Sequence, residues 1–127
     1  MTRVFLIGLA GALGTLSRYF VGVFAGRTLG TDFPYGTLIV NVLGCFLIAV
    51  VSQLALSTTL ISPTLRMTLT TGFMGGFTTY SSFNYETTNL LRERAWATGF
   101  LNVGVTVVGC FVAGLLGLAV ARRIAGS

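Results

Sequence analysis

The densest polar run in the chain is Thr70-Thr71-Gly72-Phe73-Met74-Gly75-Gly76-Phe77-Thr78-Thr79-Tyr80-Ser81-Ser82-Phe83-Asn84. It offers hydroxyls, an amide and aromatic rings, with no acid and no base. Paired glycines followed by Thr-Thr and Ser-Ser make a poor uninterrupted helix. A helix that breaks here leaves backbone groups unpaired. Amide ends of the two halves attract anions and carbonyl ends attract cations. The competing reading is a kinked helix whose hydroxyls bond back to their own carbonyls. Further polar residues in otherwise apolar surroundings are Asn41, Asn102, Thr106, Arg18 and Glu86. Asn102 and Thr106, four apart, share a helix face, as do Tyr80 and Phe83, three apart. Amides and hydroxyls supply hydrogen-bond donors, and aromatic rings have electropositive edges. Donors, ring edges and one arginine, with almost no acids, suit an anion better than a cation. Glu86 reads equally as a partly solvated carboxylate or as a group facing the same path.

Other chemistries lack their residues. The chain has no histidine and no lysine, and its three acids are Asp32, Glu86 and Glu93. Histidine-based catalysis, zinc sites and phosphate-cradling loops are therefore unsupported, and the protein reads as no enzyme. Cys45 and Cys110 lie in apolar runs, where small buried hydrophobes are expected and no disulfide is indicated. Eight arginines give a net charge of +5. They are scattered, without a basic stripe interleaved with aromatics, so nucleic acid is not a partner.

These residues must be positioned by membrane-spanning helices. Of 127 residues, 54% are hydrophobic and 9% charged, against about 25% charged in a soluble domain. The uncharged stretches run 33 residues (33–65), 27 (95–121), 19 (67–85) and 14 (4–17). Crossing a bilayer core of ~30 Å takes ~20 helical residues. Four spans follow, at about 4–26, 35–56, 64–91 and 96–120, in a single domain covering 1–127. Phe33, Tyr35 and Trp96 fall at span ends, where aromatic belts form. Gly8, Gly11 and Gly14, and Gly99, Gly104, Gly109, Gly114 and Gly117, recur at spacings that let helix backbones approach closely in lipid. The N-terminus resembles a signal peptide, but the apolar run resumes after Arg18 and continues to Ala25, so it is expected to be retained. Within a first span ~34 Å long, Arg18 lies ~12 Å from the far end by helical rise. It is either a shallow interfacial arginine or part of a watery vestibule that concentrates anions.

Charge gives almost no orientation signal. The N-terminal side carries Arg3, Arg66, Arg122 and Arg123, and the other side carries Arg27, Arg92 and Arg94, or four if Arg18 is counted. With a bias of zero or one, the positive-inside rule has little to act on, and insertion in both orientations is expected. Four short helices cannot enclose a pore alone, so an oligomer is expected too.

The stretch ending at Arg18, GTLIVNVLG (Gly36–Gly44) with Asn41, and TGFMGGFTTYSSFNYET (Thr71–Thr87) together resemble the Fluc/CrcB family of fluoride channels over nearly the whole chain. The resemblance implies an all-α integral membrane protein of four helices per subunit, the third broken in mid-membrane, assembled as an antiparallel dual-topology homodimer in the inner (plasma) membrane. It implies passive, selective export of fluoride. It also implies a structural sodium ion, not transported, held by backbone carbonyls of Gly75 and Thr78 from both subunits, freed by a break after Gly75. Asn41, Tyr80 and Phe83 would line the ion path, with Ser81, Ser82 and Thr106 offering hydroxyls, Arg18 at the vestibule and Glu86 near the path. The sequence departs from the family pattern at Tyr80, where phenylalanine is usual, and at Asn102 and Cys110. A buried Tyr80 hydroxyl would need a partner, and Asn102 or Thr106 is placed to supply one. The rival from another class is a small multidrug-resistance-type exporter, which needs a carboxylate in the first span. Here that span offers Arg18 and no acid. A non-transporting assembly subunit would leave the polar third span unexplained.

Overall fold

The computed structural model describes residues 1–126, and every regular element in them is helical. Three of the helices are long: α1 (Thr2–Thr28), α2 (Tyr35–Ser57) and α6 (Trp96–Ala125). Each is long and apolar enough to cross a membrane. Pro34 sits at the N-cap of α2, where a missing N–H costs nothing, and its fixed φ starts the helix sharply. Both α1 and α6 run past the expected span ends. Arg27 lies in the last turn of α1, and Arg122 and Arg123 in that of α6. Cations there meet the partial negative charge of the terminal carbonyls, so these charges extend the helices instead of ending them.

The third expected span, 64–91, is the exception. It is built from α3 (Pro63–Met67), a π-helical turn (Thr68–Met74), α4 (Gly75–Phe77) and α5 (Tyr80–Arg92). Ser62 caps the start, its Oγ accepting from the Leu65 N–H at 3.1 Å, with Pro63 at the first helical position. The segment traverses the bundle. Arg3, at the start of α1, donates from Nη2 to Thr64 Oγ1 at 3.2 Å. Asn89, Leu90 and Glu93, at the other end, line one cleft with the α1–α2 turn residues Gly30, Thr31 and Asp32.

The interruption falls at Thr78 and Thr79, whose backbones are extended (φ/ψ −93/157° and −153/117°). The expected break after Gly75 is thus displaced by two residues, to follow Phe77. Gly75 itself is helical, at φ/ψ −59/−37°. Glycine lowers the cost of leaving a helix without forcing it to do so. What decides the position is tertiary pairing at Thr79, described below.

Packing is led by small residues. A Cβ on Gly14 would overlap the Phe73 carbonyl, and one on Gly76 would overlap that of Gly11, so α1 and the interrupted segment touch backbone to backbone. Val40, Met74 and Phe77 form the buried core, with Val21, Leu47 and Phe73 against it. Large apolar side chains remain exposed around the bundle, among them Phe5, Phe20 and Phe24 on α1 and Val107, Phe111 and Leu115 on α6. A helix set that is apolar on its outside is what a hydrocarbon solvent selects.

Because a backbone carbonyl cannot yield as a flexible side chain does, Gly14→Ala is expected to destabilise the detergent-solubilised protein by about 1–3 kcal/mol. Gly8→Ala, where an added Cβ meets nothing within 4 Å, is expected to lose nothing. Thermal unfolding of both variants tests this; equal midpoints would show that the close approach does not constrain the fold.

Candidate functional site

Asn41 is buried on α2 and points its amide at the interruption. Its Nδ2 donates to the Thr79 carbonyl at 2.9 Å, and its Oδ1 accepts from the Thr79 N–H at 2.8 Å. One side chain thus satisfies both backbone groups of the residue that left the helix. Thr79 in turn caps α5, its Oγ1 accepting from the Ser82 N–H at 3.2 Å. Arg18 reaches across from α1, donating from Nε to the Gly76 carbonyl at 3.0 Å. A Cβ on Gly44 would strike the Thr78 methyl, so glycine there lets α2 close on the break.

These bonds determine which carbonyls are left over. In a continuous helix the Thr79 N–H would serve the Gly75 carbonyl and the Ser82 N–H would serve that of Thr78. Both donors are spent elsewhere, on Asn41 Oδ1 and on Thr79 Oγ1. Thr78 Oγ1 and the Thr78 N–H both turn back to the Met74 carbonyl, at 2.8 and 2.9 Å. The Gly75 and Thr78 carbonyls therefore lack their helical donors.

Two clefts meet at the break. One, of about 450 Å³, is lined by Asn41, Gly75, Thr78, Tyr80, Phe83 and Thr106 among others. The Tyr80 and Phe83 rings meet edge to face there, centroids 5.7 Å apart and planes at 85°. The other, of about 350 Å³, is lined by Arg18, Thr37, Ser82 and Glu86. Thr79 borders both. Ser81 lies at neither; it is exposed, its Oγ 3.3 Å from Thr79 Oγ1. Glu86 Oε1 is enclosed and has no hydrogen-bond partner among the described residues. No cluster of three acid, thiol or imidazole side chains suited to a metal occurs among them either.

The fourth span behaves differently from expectation. Asn102, 1% exposed, donates to Thr87 Oγ1 at 2.8 Å and accepts from Thr106 Oγ1 at 3.2 Å. Thr87 passes the chain on to the Phe83 carbonyl at 2.8 Å. This relay ties α6 to α5 and consumes the groups expected to serve the Tyr80 hydroxyl. Tyr80 is instead 76% exposed in the single chain. Sequence reasoning missed Thr79 and Thr87. The first had a legible signal, a threonine three residues before Ser82 at a helix start; the second had none.

Fold and site together define a small integral membrane protein with an interrupted helix clamped by neighbouring spans. The chain belongs to the CrcB family: the family model described as "CrcB-like protein, Camphor Resistance (CrcB)" matches residues 5–118. It is 53% identical over 124 residues to the fluoride-specific ion channel FluC of Sorangium cellulosum (strain So ce56), covering 98% of each chain. Proteins of the same name from Anaeromyxobacter sp. (strain K) and Geobacter sp. (strain M21) are 46% and 45% identical, over 99% and 98% of this chain and the whole of theirs.

The clamp predicts a specific cost. Asn41→Ala leaves the Thr79 N–H and carbonyl unpaired, at about 1–3 kcal/mol for each group, whereas Ser81→Ala is expected to cost less than about 0.5 kcal/mol. Unfolding in detergent, with hydrogen exchange at the Thr79 amide, reads both. Unchanged Thr79 protection in Asn41→Ala would refute the clamp.

Proposed function

We propose that the protein is a fluoride-selective channel that lets cytoplasmic fluoride leave passively down its gradient. The observation that carries this reading is the near-full-length identity to relatives named as fluoride-specific channels. The site's chemistry agrees with it. Fluoride is small and strongly hydrated, and drying it without compensation costs roughly tens of kcal/mol. Asn41, with one amide N–H left beyond its bond to Thr79, and Ser82, with the ring edges of Tyr80 and Phe83, bring donors and positive edges to the two clefts, while Thr106 borders the first with its O–H given to Asn102. Arg18 and Ser81 extend that polar surface at either side of Thr79. The proton-coupled exporter is not favoured, since α1 carries no carboxylate.

On this reading the segment from Pro63 to Arg92 is the third of four membrane crossings, made by helical pieces. The functional unit is an antiparallel homodimer in the bacterial inner membrane. The near-equal arginine counts on the two sides support insertion in both orientations. A structural sodium ion fits the Gly75 and Thr78 carbonyls, because both have lost their helical donors. Neutral carbonyl oxygens suit a hard monovalent cation, and no carboxylate is among them to favour calcium or magnesium. Bound there from two subunits, the ion would supply positive charge that holds the two breaks together.

Purified protein in liposomes, followed by a fluoride electrode, is expected to release fluoride rapidly without a proton gradient, while chloride-loaded vesicles stay full. Chloride release as fast as that of fluoride would reject selectivity. Asn41→Ala and Phe83→Ala are each expected to cut fluoride efflux at least about tenfold, given the loss of about 1.4 kcal/mol or more per missing contact.

Dual orientation gives an independent expectation. Three arginines added at the C-terminus should fix one orientation and abolish efflux, and co-expression with a variant biased the other way should restore it. Full efflux from a population of one orientation would overturn the antiparallel dimer.

A further inference from the structure

The two cysteines come from different spans, Cys45 on α2 and Cys110 on α6, and both are free and half-buried. Both line the cleft that holds Asn41, Tyr80 and Phe83, and both line a second, apolar cleft beside Val107, Val108 and Phe111. The α2–α6 contact brings them together: a Cβ on Gly109, next to Cys110, would stand in ordinary contact with Val42 Cγ2 at 3.5 Å, and Cys45 faces Val107, Val108, Cys110, Phe111 and Val112 of α6 around the second cleft. Two sulfurs facing one cavity from two helices form a chelating pair.

We infer that Cys45 and Cys110 form a binding site for a thiophilic divalent cation, which bridges the two sulfurs and plugs the cleft beside Tyr80 and Phe83. Soft thiolates select soft metal ions. The surroundings select charge and coordination number. A divalent ion with two thiolates is neutral, as an apolar cleft demands. Zinc in structural sites takes four ligands drawn from thiolate, imidazole and carboxylate. This cleft is lined by no imidazole and no carboxylate, its Asn41 amide and Thr106 hydroxyl are engaged by Thr79 and Asn102, and its remaining oxygens include the neutral Gly75 and Thr78 carbonyls. A linear two-coordinate ion such as mercuric ion needs no more than the pair provides. Binding breaks two S–H bonds and forms two metal–sulfur bonds; two protons go to water and no oxidation state changes. The plugging half of the inference rests on the cleft being the fluoride path, whereas the binding half does not.

Mercuric chloride added to the purified protein tests both halves. One ion per subunit is expected to abolish both thiols in a thiol titration. Competing monothiol should be needed at a concentration at least about tenfold higher to strip the metal from the unaltered chain than from Cys45→Ser or Cys110→Ser, since the second sulfur binds intramolecularly. Two ions per subunit, or equal stripping from all three proteins, would overturn the site. In liposomes the same one-to-one loading is expected to stop fluoride efflux in the unaltered chain, with recovery after excess dithiol. Efflux that continues at full rate with the metal bound would overturn the plug. If no fluoride moves before metal is added, the channel reading fails, and the stoichiometry and stripping still decide the site.

Discussion

A polypeptide that leaves helical geometry among apolar helices must satisfy the freed backbone groups from within the protein, because apolar surroundings offer no partner. Here that requirement is met mainly by one side chain. Asn41 answers the Thr79 N–H with its carbonyl oxygen and the Thr79 carbonyl with its amide nitrogen. No hydroxyl could span both groups in this way, and a carboxylate would bring charge while losing the donor. Thr79 then does locally what Asn41 does across the bundle: its hydroxyl receives the Ser82 N–H and starts the next helix. The break costs little because its groups are shared between a neighbour 38 residues away and its own cap.

The rest of the packing serves that exchange. Asn41 reaches Thr79 only if α2 lies close to the interrupted segment, and Gly44, one turn along the same face, is where a Cβ would strike Thr78. Arg18 reaches Gly76 because Gly11 and Gly14 let α1 come within backbone contact of residues 72–76. The arginine thereby acquires a local duty beside any effect of its charge, holding a carbonyl that Tyr80, as the first residue of α5, no longer serves. Its remaining N–H groups are free to face the cleft of Thr37, Ser82 and Glu86. The expected choice between an interfacial arginine and a vestibule arginine was therefore incomplete.

Much of this was legible in the sequence, and the limits have physical causes. The second span, expected at 35–56, forms as Tyr35–Ser57, because hydropathy and Pro34 both report on local free energy. That the third span is interrupted was legible from its glycines and hydroxyls. Where it is interrupted was not, since Gly75 and Gly76 are tolerant of both conformations and the decision belongs to Asn41, far away in sequence. The face shared by Asn102 and Thr106 was read correctly from their spacing, but its destination was not. Periodicity says which side chains stand together and is silent about which neighbour they meet. Thr87, the actual partner, lies in a polar stretch where nothing distinguishes it from Thr88.

The two polar systems divide the work of the interrupted segment. The Asn102 relay fixes α5 to α6 through Thr87 and ends on the Phe83 carbonyl, so the backbone carrying the Phe83 ring is held from behind. The Asn41 clamp fixes the start of α5 from the opposite direction. Between these anchors stand Tyr80 and Phe83, ring edge against ring face and open to the cleft. Rings so placed are constrained by their backbones rather than by burial, and both border the cleft at the break. The same clamp withholds the Thr79 N–H from Gly75, and the same cap withholds the Ser82 N–H from Thr78. Positioning the rings and exposing the two carbonyls are therefore consequences of a single set of hydrogen bonds. A change that loosens one must disturb the other.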